Sequence, residues 1–217
     1  MARNKHPEQT VQLILDTATR LFVQQGYEHT SLQDIIDATG LSKGAIYHHF
    51  SSKLDILIRI SDRIATVNES TLGEIRDRRG LTGAQKLKEL FRASILQDYQ
   101  KQMMTMMPPL LDNPNFLAMI IRSVLEDAAP HYVLPILQEG LADGSIRTDS
   151  PRELSEVLLL LSDLWVSPIL RPTDPGEIRR RCLFYNQLTR PFGFELMDEE
   201  LIQGLEDLAR TAYLGKA

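Results

Sequence analysis

A chain of 217 residues with 43% hydrophobic and 24% charged side chains has the composition of a folded globular protein, which excludes a disordered or low-complexity polymer. A formal charge of −5 gives no general attraction for a polyanion, so a nucleic-acid partner would have to be held by local charge. The single cysteine, Cys182, excludes an intramolecular disulfide and a cysteine-rich zinc site. No uncharged apolar run is long enough to span a bilayer, and "MARNKHPEQT" has no apolar core behind its basic residues, so a cytoplasmic protein without membrane association is expected.

The apolar spacing is repeatedly helical and no window alternates like a strand, which predicts an all-α chain. Val11, Ile14, Leu15, Ala18, Leu21 and Phe22 fall on one stripe of a first helix, with Pro7 suited to its first turn and Gly26 to a left-handed end. A short second helix buries Leu32, Ile35 and Ile36, and is capped either by Thr30 with Gln33 or by Ser31 with Asp34. Gly40 breaks it within "ATGLS". Ser42 caps a third helix through "KGAIYHH", which Phe50 closes. Ser52 with Asp55 caps a fourth, burying Leu57, Ile60 or Ser61, Ile64 and Val67. Past the polar break "RDRRGLTG", Leu87, Leu90, Phe91, Ser94 and Ile95 mark a fifth helix that reaches towards a methionine-rich stretch and stops at Pro108 and Pro109. "NFLAMIIRSVLEDAA" predicts a sixth helix ended by Pro130, and "YVLPILQEGLADG" a seventh with Pro135 inside it, implying a kink or a late start. Residues 151–167, 175–190 and 198–214 supply the eighth, ninth and tenth.

Two short helices joined by "TGLS" make a helix-turn-helix, whose second helix enters a DNA major groove N-terminus first. The stretch "SKGAIYHHFSSK" (42–53) has two lysines, two histidines, a tyrosine and no acid. Ile46 and Phe50 face inward, leaving Lys43, Gly44, Tyr47 and His48 on the other side. Gly44 lets the helix start approach the sugar-phosphate chain, Tyr47, His48 and His49 can donate to phosphate oxygens, and Lys53 adds a second phosphate contact. Lys43 can reach a guanine edge, and the Ala45 methyl a thymine methyl. Singly, each residue fits a solvated polar face; together, after two capped short helices, they point to DNA. Residues 1–55 nevertheless hold five basic groups against six acidic ones, so one copy would bind poorly and a homodimer on one double-stranded operator is expected.

The segment "GYEHTSLQDIIDATGLSKGAIYHHFSSKLDIL" (26–57) closely resembles the DNA-binding signature of TetR-type (TetR/AcrR) transcriptional repressors. The resemblance is strong over about 11–57. The Gly-Tyr before Thr-Ser, the Thr-Gly-Leu-Ser-Lys-Gly turn, the Tyr-His-His-Phe and the Ser-Lys fall in order. It implies that Lys43, Gly44, Ala45, Tyr47, His48 and His49 face DNA, that Thr30 or Ser31 caps and touches phosphate, and that Lys53 touches phosphate. One departure is Leu54, where the family has an acid, so the cap must use Asp55. The resemblance also implies a three-helix helix-turn-helix domain over 1–53 and a larger helical ligand-binding and dimerisation domain over 54–217. "LQEGLADGSIRTDSPRELSEVLLLLSDLW" (137–165) is similar to the family's turn into its long dimerisation helix.

"ELSEVLLLLSDLWV" is apolar nearly all round, so it must face its own core and something else. With Ile178, Leu183, Phe184 and Leu188 as a second stripe, the eighth and ninth helices are expected to pair with those of a second copy in a four-helix bundle, Leu158 and Leu161 being test positions. "MMTMMPPLL" (103–111) reads as ordinary core or as the lining of an effector pocket, where the resemblance places one, with Met103, Met106, Met107, Phe116, Met119 and Trp165 as contacts. His6, His29 and His131 lack ligand spacing, so no metal is expected. There is no phosphate-binding glycine loop and no catalytic constellation, so neither cofactor nor enzyme activity is expected. Cys182 reads as a buried free thiol, and Arg179, Arg180 and Arg181 as a solvated helix start or a dimer-edge cluster. The expectation is a repressor that leaves its operator when a small apolar effector binds. The rivals are a regulator whose second half binds a partner protein, and an all-α enzyme with a vestigial helix-turn-helix.

Overall fold

The computed structural model describes residues 7–96, 114–168 and 173–214, less the side chains of 64–68, 114–116 and 211–214. Among the described residues helices are joined by loops and turns, with no strand, as the apolar spacing requires. It divides into two compact units, Met1–Val67 and Asn68–Ala217.

The first unit holds α1 (Pro7–Gln25), α2 (Leu32–Thr39), α3 (Lys43–His49) and the first part of α4 (Lys53–Asp77). α1 buries Ile14, Leu15, Ala18 and Phe22 as one stripe, with Val11 and Leu21 at its rim. Ile35, Ile46, Phe50, Ile56, Leu57 and Ile60 complete the core; each contributes about 1.5–3 kcal/mol by leaving water, enough to hold three short helices that would melt alone. Ser31 and Asp34 form the cap of α2: the Asp34 N–H donates to Ser31 Oγ at 3.1 Å and the Ser31 N–H to Asp34 Oδ2 at 2.7 Å. At α4 the Asp55 N–H donates to Ser52 Oγ at 3.0 Å, while the Asp55 carboxylate accepts the Ser51 N–H at 2.8 Å, one residue further back than a reciprocal box. The expected burial of Ile64 and Val67 falls outside the described side chains.

The second unit adds α5 (Gly83–Ile95), α6 (Pro114–Arg122), a π-helical segment (Ser123–Val133), α7 (Leu134–Asp143), α8 (Pro151–Leu160), a second π segment (Leu161–Val166), α9 (Pro175–Thr189) and α10 (Glu199–Leu214). The expected stop at Pro130 is not there. α6, the π segment and α7 run head to tail, and the Leu134 N–H bonds to Ala129 O across five residues. The wide π turn relieves the clash between a proline ring and the preceding turn that ends an α-helix. Pro135 falls within this continuous run, directly after the π segment, so the seventh helix has no separate start. The methionine-rich stretch with Pro108 and Pro109 lies outside the described residues.

α5 crosses α7 at two glycines. A Cβ on Gly83 would lie 2.3 Å from Gly140 Cα, so the backbones touch. Beside the crossing, the Gly83 N–H donates to Asp143 Oδ2 at 2.8 Å and the Ala84 N–H to Ser145 Oγ at 3.1 Å, so a neighbouring loop satisfies the helix start. The buried Lys86 ammonium reaches Glu139 at 2.6 Å and the Arg76 carbonyl at 2.9 Å, tying the end of α4 to α5 and α7. On the other side of the core, buried Asn186 accepts from the N–H groups of Leu196 and Met197 and donates to Met197 O, which pins the segment before α10 against α9.

Candidate nucleic-acid interface

Gly40 takes φ +68° at the end of α2, the left-handed conformation that lets the chain reverse into α3 within two residues. Ser42 accepts the Ala45 N–H at 3.2 Å and starts α3 there. With Ile46 and Phe50 buried in the unit's core, the rotation of α3 is fixed, and Lys43, Gly44, Tyr47 and His48 are exposed, with Ala45 and His49 partly so. Tyr47 is 47% exposed, a large value for an aromatic on a small unit. The Lys43 ammonium stands 5.6 Å from the Tyr47 ring centroid, and the rings of His48 and His49 meet edge to face at 5.0 Å. One surface thus carries cation, phenol and imidazoles with no carboxylate within 42–53.

The acidic residues around it are occupied. Asp34 and Asp55 cap α2 and α4, and Asp16 pairs with Arg63 at 2.7 Å. Hydrogen bonds from the Ser31 N–H and hydroxyl hold the Asp34 carboxyl below its usual range. The capping carboxylates stay ionised, so the positive character of this face is confined to 42–53 itself. Ser31 is exposed at the start of α2, whereas Thr30 is buried and donates its hydroxyl to Gly26 O at 2.8 Å. Lys53 lies at the start of α4, its ammonium 2.7 Å from Tyr27 O and 4.1 Å from the Tyr27 ring centroid. Spacing alone did not single out Tyr27; a ring 26 residues from its lysine leaves no periodic mark.

In the second unit, Met119 is exposed and lines an open groove of about 330 Å³ with Ala118, Arg122, Ser123 and Asp127. Trp165 is not among the groove's lining residues. It packs edge to face on Phe184 at 5.9 Å, and its carbonyl accepts from the buried Arg181 at 2.7 Å. Met103, Met106 and Met107, with the Phe116 side chain, lie outside the described residues. Of the arginine trio only Arg180 is exposed: Arg181 is buried against Glu177, and Arg179 pairs with Glu206 at 2.9 Å and with Glu199. Cys182 is a buried free thiol, its pKa pushed up to about 12 by desolvation. Among the described residues no group of three or more His, Cys, Asp or Glu side chains could hold a metal, and no helix is long and apolar enough to cross a membrane.

Residues 14–60 match the family model of bacterial regulatory proteins of the tetR family. The HTH-type transcriptional repressor AcnR of Corynebacterium efficiens is 31% identical over 166 residues, 73% of this chain and 80% of the relative. The HTH-type transcriptional regulator AcrR of Shigella flexneri is 46% identical over 77 residues, and the match spans only about a third of its length, 34%. A transcriptional regulator from Cytophaga hutchinsonii has the same fold, with a TM-score of 0.61 at 17% identity over 95% of this chain and 96% of that one. Through a family-specific match across its exposed α3 face, and a relative aligned over most of both chains, this protein belongs to the TetR family of DNA-binding transcriptional regulators, which are not enzymes.

Proposed function

We propose that the chain is a homodimeric repressor that reads its operator through α3 and leaves it when a small apolar effector binds the second unit. The acid-free, exposed face of α3 carries the reading. Lys43 and Ala45 address base edges, and Gly44, Tyr47, His48, His49, Ser31 and Lys53 address the backbone. Thr30, buried and bonded to Gly26, holds the turn before α2 rather than a phosphate. We place the functional border at residue 53, with α4 as the output element of the sensing half, although compact packing divides the chain within that helix. The C. efficiens relative is a transcriptional repressor by name, which supports repression as the sign.

The test uses an operator duplex selected by the protein from a randomised DNA library. Tyr47→Ala should weaken binding to all sequences alike and leave the slope of log affinity against log salt unchanged, because a neutral phenol displaces no counterion. Lys43→Ala should cost about 1–3 kcal/mol and blunt discrimination at one base pair of each half-site. If both variants bind the selected duplex like wild type, α3 is not the reading helix.

For the effector, the exposed apolar lining at Ala118 and Met119 is the supporting observation. A panel of apolar compounds scored for release of the duplex identifies effectors. Met119→Trp, which fills the groove, should reduce release by about tenfold while operator affinity stays within twofold, a loss near 1.4 kcal/mol of differential binding. Unchanged release by the variant would move the effector site away from this groove.

A further inference from the structure

Lysine is a poor phosphate contact when its ammonium is free to wander, because closing on an oxygen freezes a long, rotamer-rich stem. Lys53 does not wander. Its ammonium donates to the Tyr27 carbonyl at 2.7 Å and stands over the Tyr27 ring, 4.1 Å from the centroid. The ring is itself fixed, edge to face on the fully buried Phe22 at 5.2 Å, just past the end of α1. Desolvation, and then the neighbouring Glu28 carboxylate, raise the Tyr27 phenol's pKa, as expected of a half-buried ring. The carbonyl accounts for one of the three ammonium protons, and no carboxylate pairs with this lysine among the described ion pairs, which leaves two donors for an incoming oxygen. The charge group facing it is Asp34 at the start of α2, a carboxylate already committed to the Ser31 N–H and hydroxyl.

We propose that Tyr27 is a positioning residue for operator binding: its ring and carbonyl hold the Lys53 ammonium in place before DNA arrives, so the phosphate contact forms without ordering the lysine. This rests on the reading of Lys53 as a phosphate contact. A cation over an aromatic face is worth a few-fold in an equilibrium constant, so two copies in a dimer set the scale of the effect.

The test is a double-mutant cycle on the full-length protein, with the library-selected duplex, affinities being measured across a salt series. Tyr27→Phe keeps the ring and the carbonyl and should bind like wild type. Tyr27→Leu should bind roughly tenfold more weakly, about threefold per subunit, with the salt slope unchanged, because the contact still forms. Lys53→Ala should weaken binding and lower the slope by about one per subunit. Adding Tyr27→Leu to Lys53→Ala should cost nothing further. Loss of affinity on Tyr27→Leu that is just as large in the Lys53→Ala background means that Tyr27 only supports the fold, and the proposal falls. Equal weakening by Tyr27→Phe and Tyr27→Leu means that the hydroxyl itself acts, and it falls as well. Wild-type binding by Lys53→Ala alone would remove the phosphate contact itself, an outcome distinct from both. Should Tyr27→Leu melt early, Tyr27→Met at the same position carries the comparison.

Discussion

Phe184→Asp is expected to turn the protein into a monomer and to cut operator affinity by several orders of magnitude. α9 packs on the π segment that continues α8, and its Tyr185 hydroxyl donates to Leu158 O at 2.9 Å. Together they leave Val157, Leu183, Phe184 and Leu188 41–47% exposed, a concentration of apolar surface that a solitary molecule does not favour. Phe184, edge on to Trp165, is the largest of them. In a two-fold interface each substitution is felt twice, and a buried aromatic anchor is typically worth 2 kcal/mol or more. A pair of carboxylates in place of two rings should therefore cost roughly 4–8 kcal/mol of association, a factor of about 10³–10⁶. DNA binding should fall with it, because one reading helix on a unit without excess positive charge has little hold on DNA. Sedimentation and operator binding measure the two losses. A Phe184→Asp protein still dimeric at micromolar concentration, with its helix content intact, would move the interface off this face.

The choice of position shows where a periodic reading stops. The apolar run of α8 promises two buried faces, and Leu158 reads as one of the outer ones. In the folded chain Leu158 is 2% exposed and belongs to the monomer's own core, so aspartate there breaks the fold before it tests any interface. Ile178 is likewise core, while Leu183, Phe184 and Leu188 are the exposed stripe. A run that is apolar all round gives the existence of two faces without saying which belongs to whom.

The DNA-reading unit was legible for the opposite reason. Its determinants are local: a serine and an acid three residues apart at α2, a glycine at φ +68°, and Ile46 and Phe50 four apart setting the rotation of α3. What escaped the sequence depends on partners far along the chain. Arg179 and Arg181 look like members of a solvated trio until Glu206 and the Trp165 carbonyl arrive from elsewhere. Tyr27 carries no mark in the spacing until Lys53 comes to rest on it. Pro130 reads as a stop because proline opposes the α-helix, and nothing local announces a π winding that tolerates it.

The same dependence on distant partners governs the largest expected loss of stability, Gly83→Ala. Alanine normally favours a helix over glycine by about 0.5–1 kcal/mol, so propensity alone predicts a gain. At Gly83 the new methyl would lie 2.3 Å from both Gly140 Cα and Gly140 N, and 2.7 Å from Ile136 O. These are backbone atoms of α7 and cannot rotate away. α5 and α7 must part, loosening the core around Leu87, Leu90 and Ile136 and lengthening the hydrogen bonds from Gly83 and Ala84 to Asp143 and Ser145. Overpacking of this kind should outweigh the propensity gain and cost roughly 2–4 kcal/mol, a fall of about 5–15 °C in Tm for a unit of this size. Two further glycines make the argument separable. Gly204→Ala meets only Leu96 Cδ2, the tip of a side chain that can turn, and should lose less. Gly73→Ala meets nothing within 4 Å and should be neutral or up to about 1 kcal/mol more stable. The expected order of melting temperature is Gly73→Ala highest, Gly204→Ala next and Gly83→Ala lowest. Coincident melting of Gly83→Ala and Gly73→Ala would show that α5 and α7 do not touch backbone to backbone, and the anchoring of Lys86 between Glu139 and the end of α4 would need another geometry.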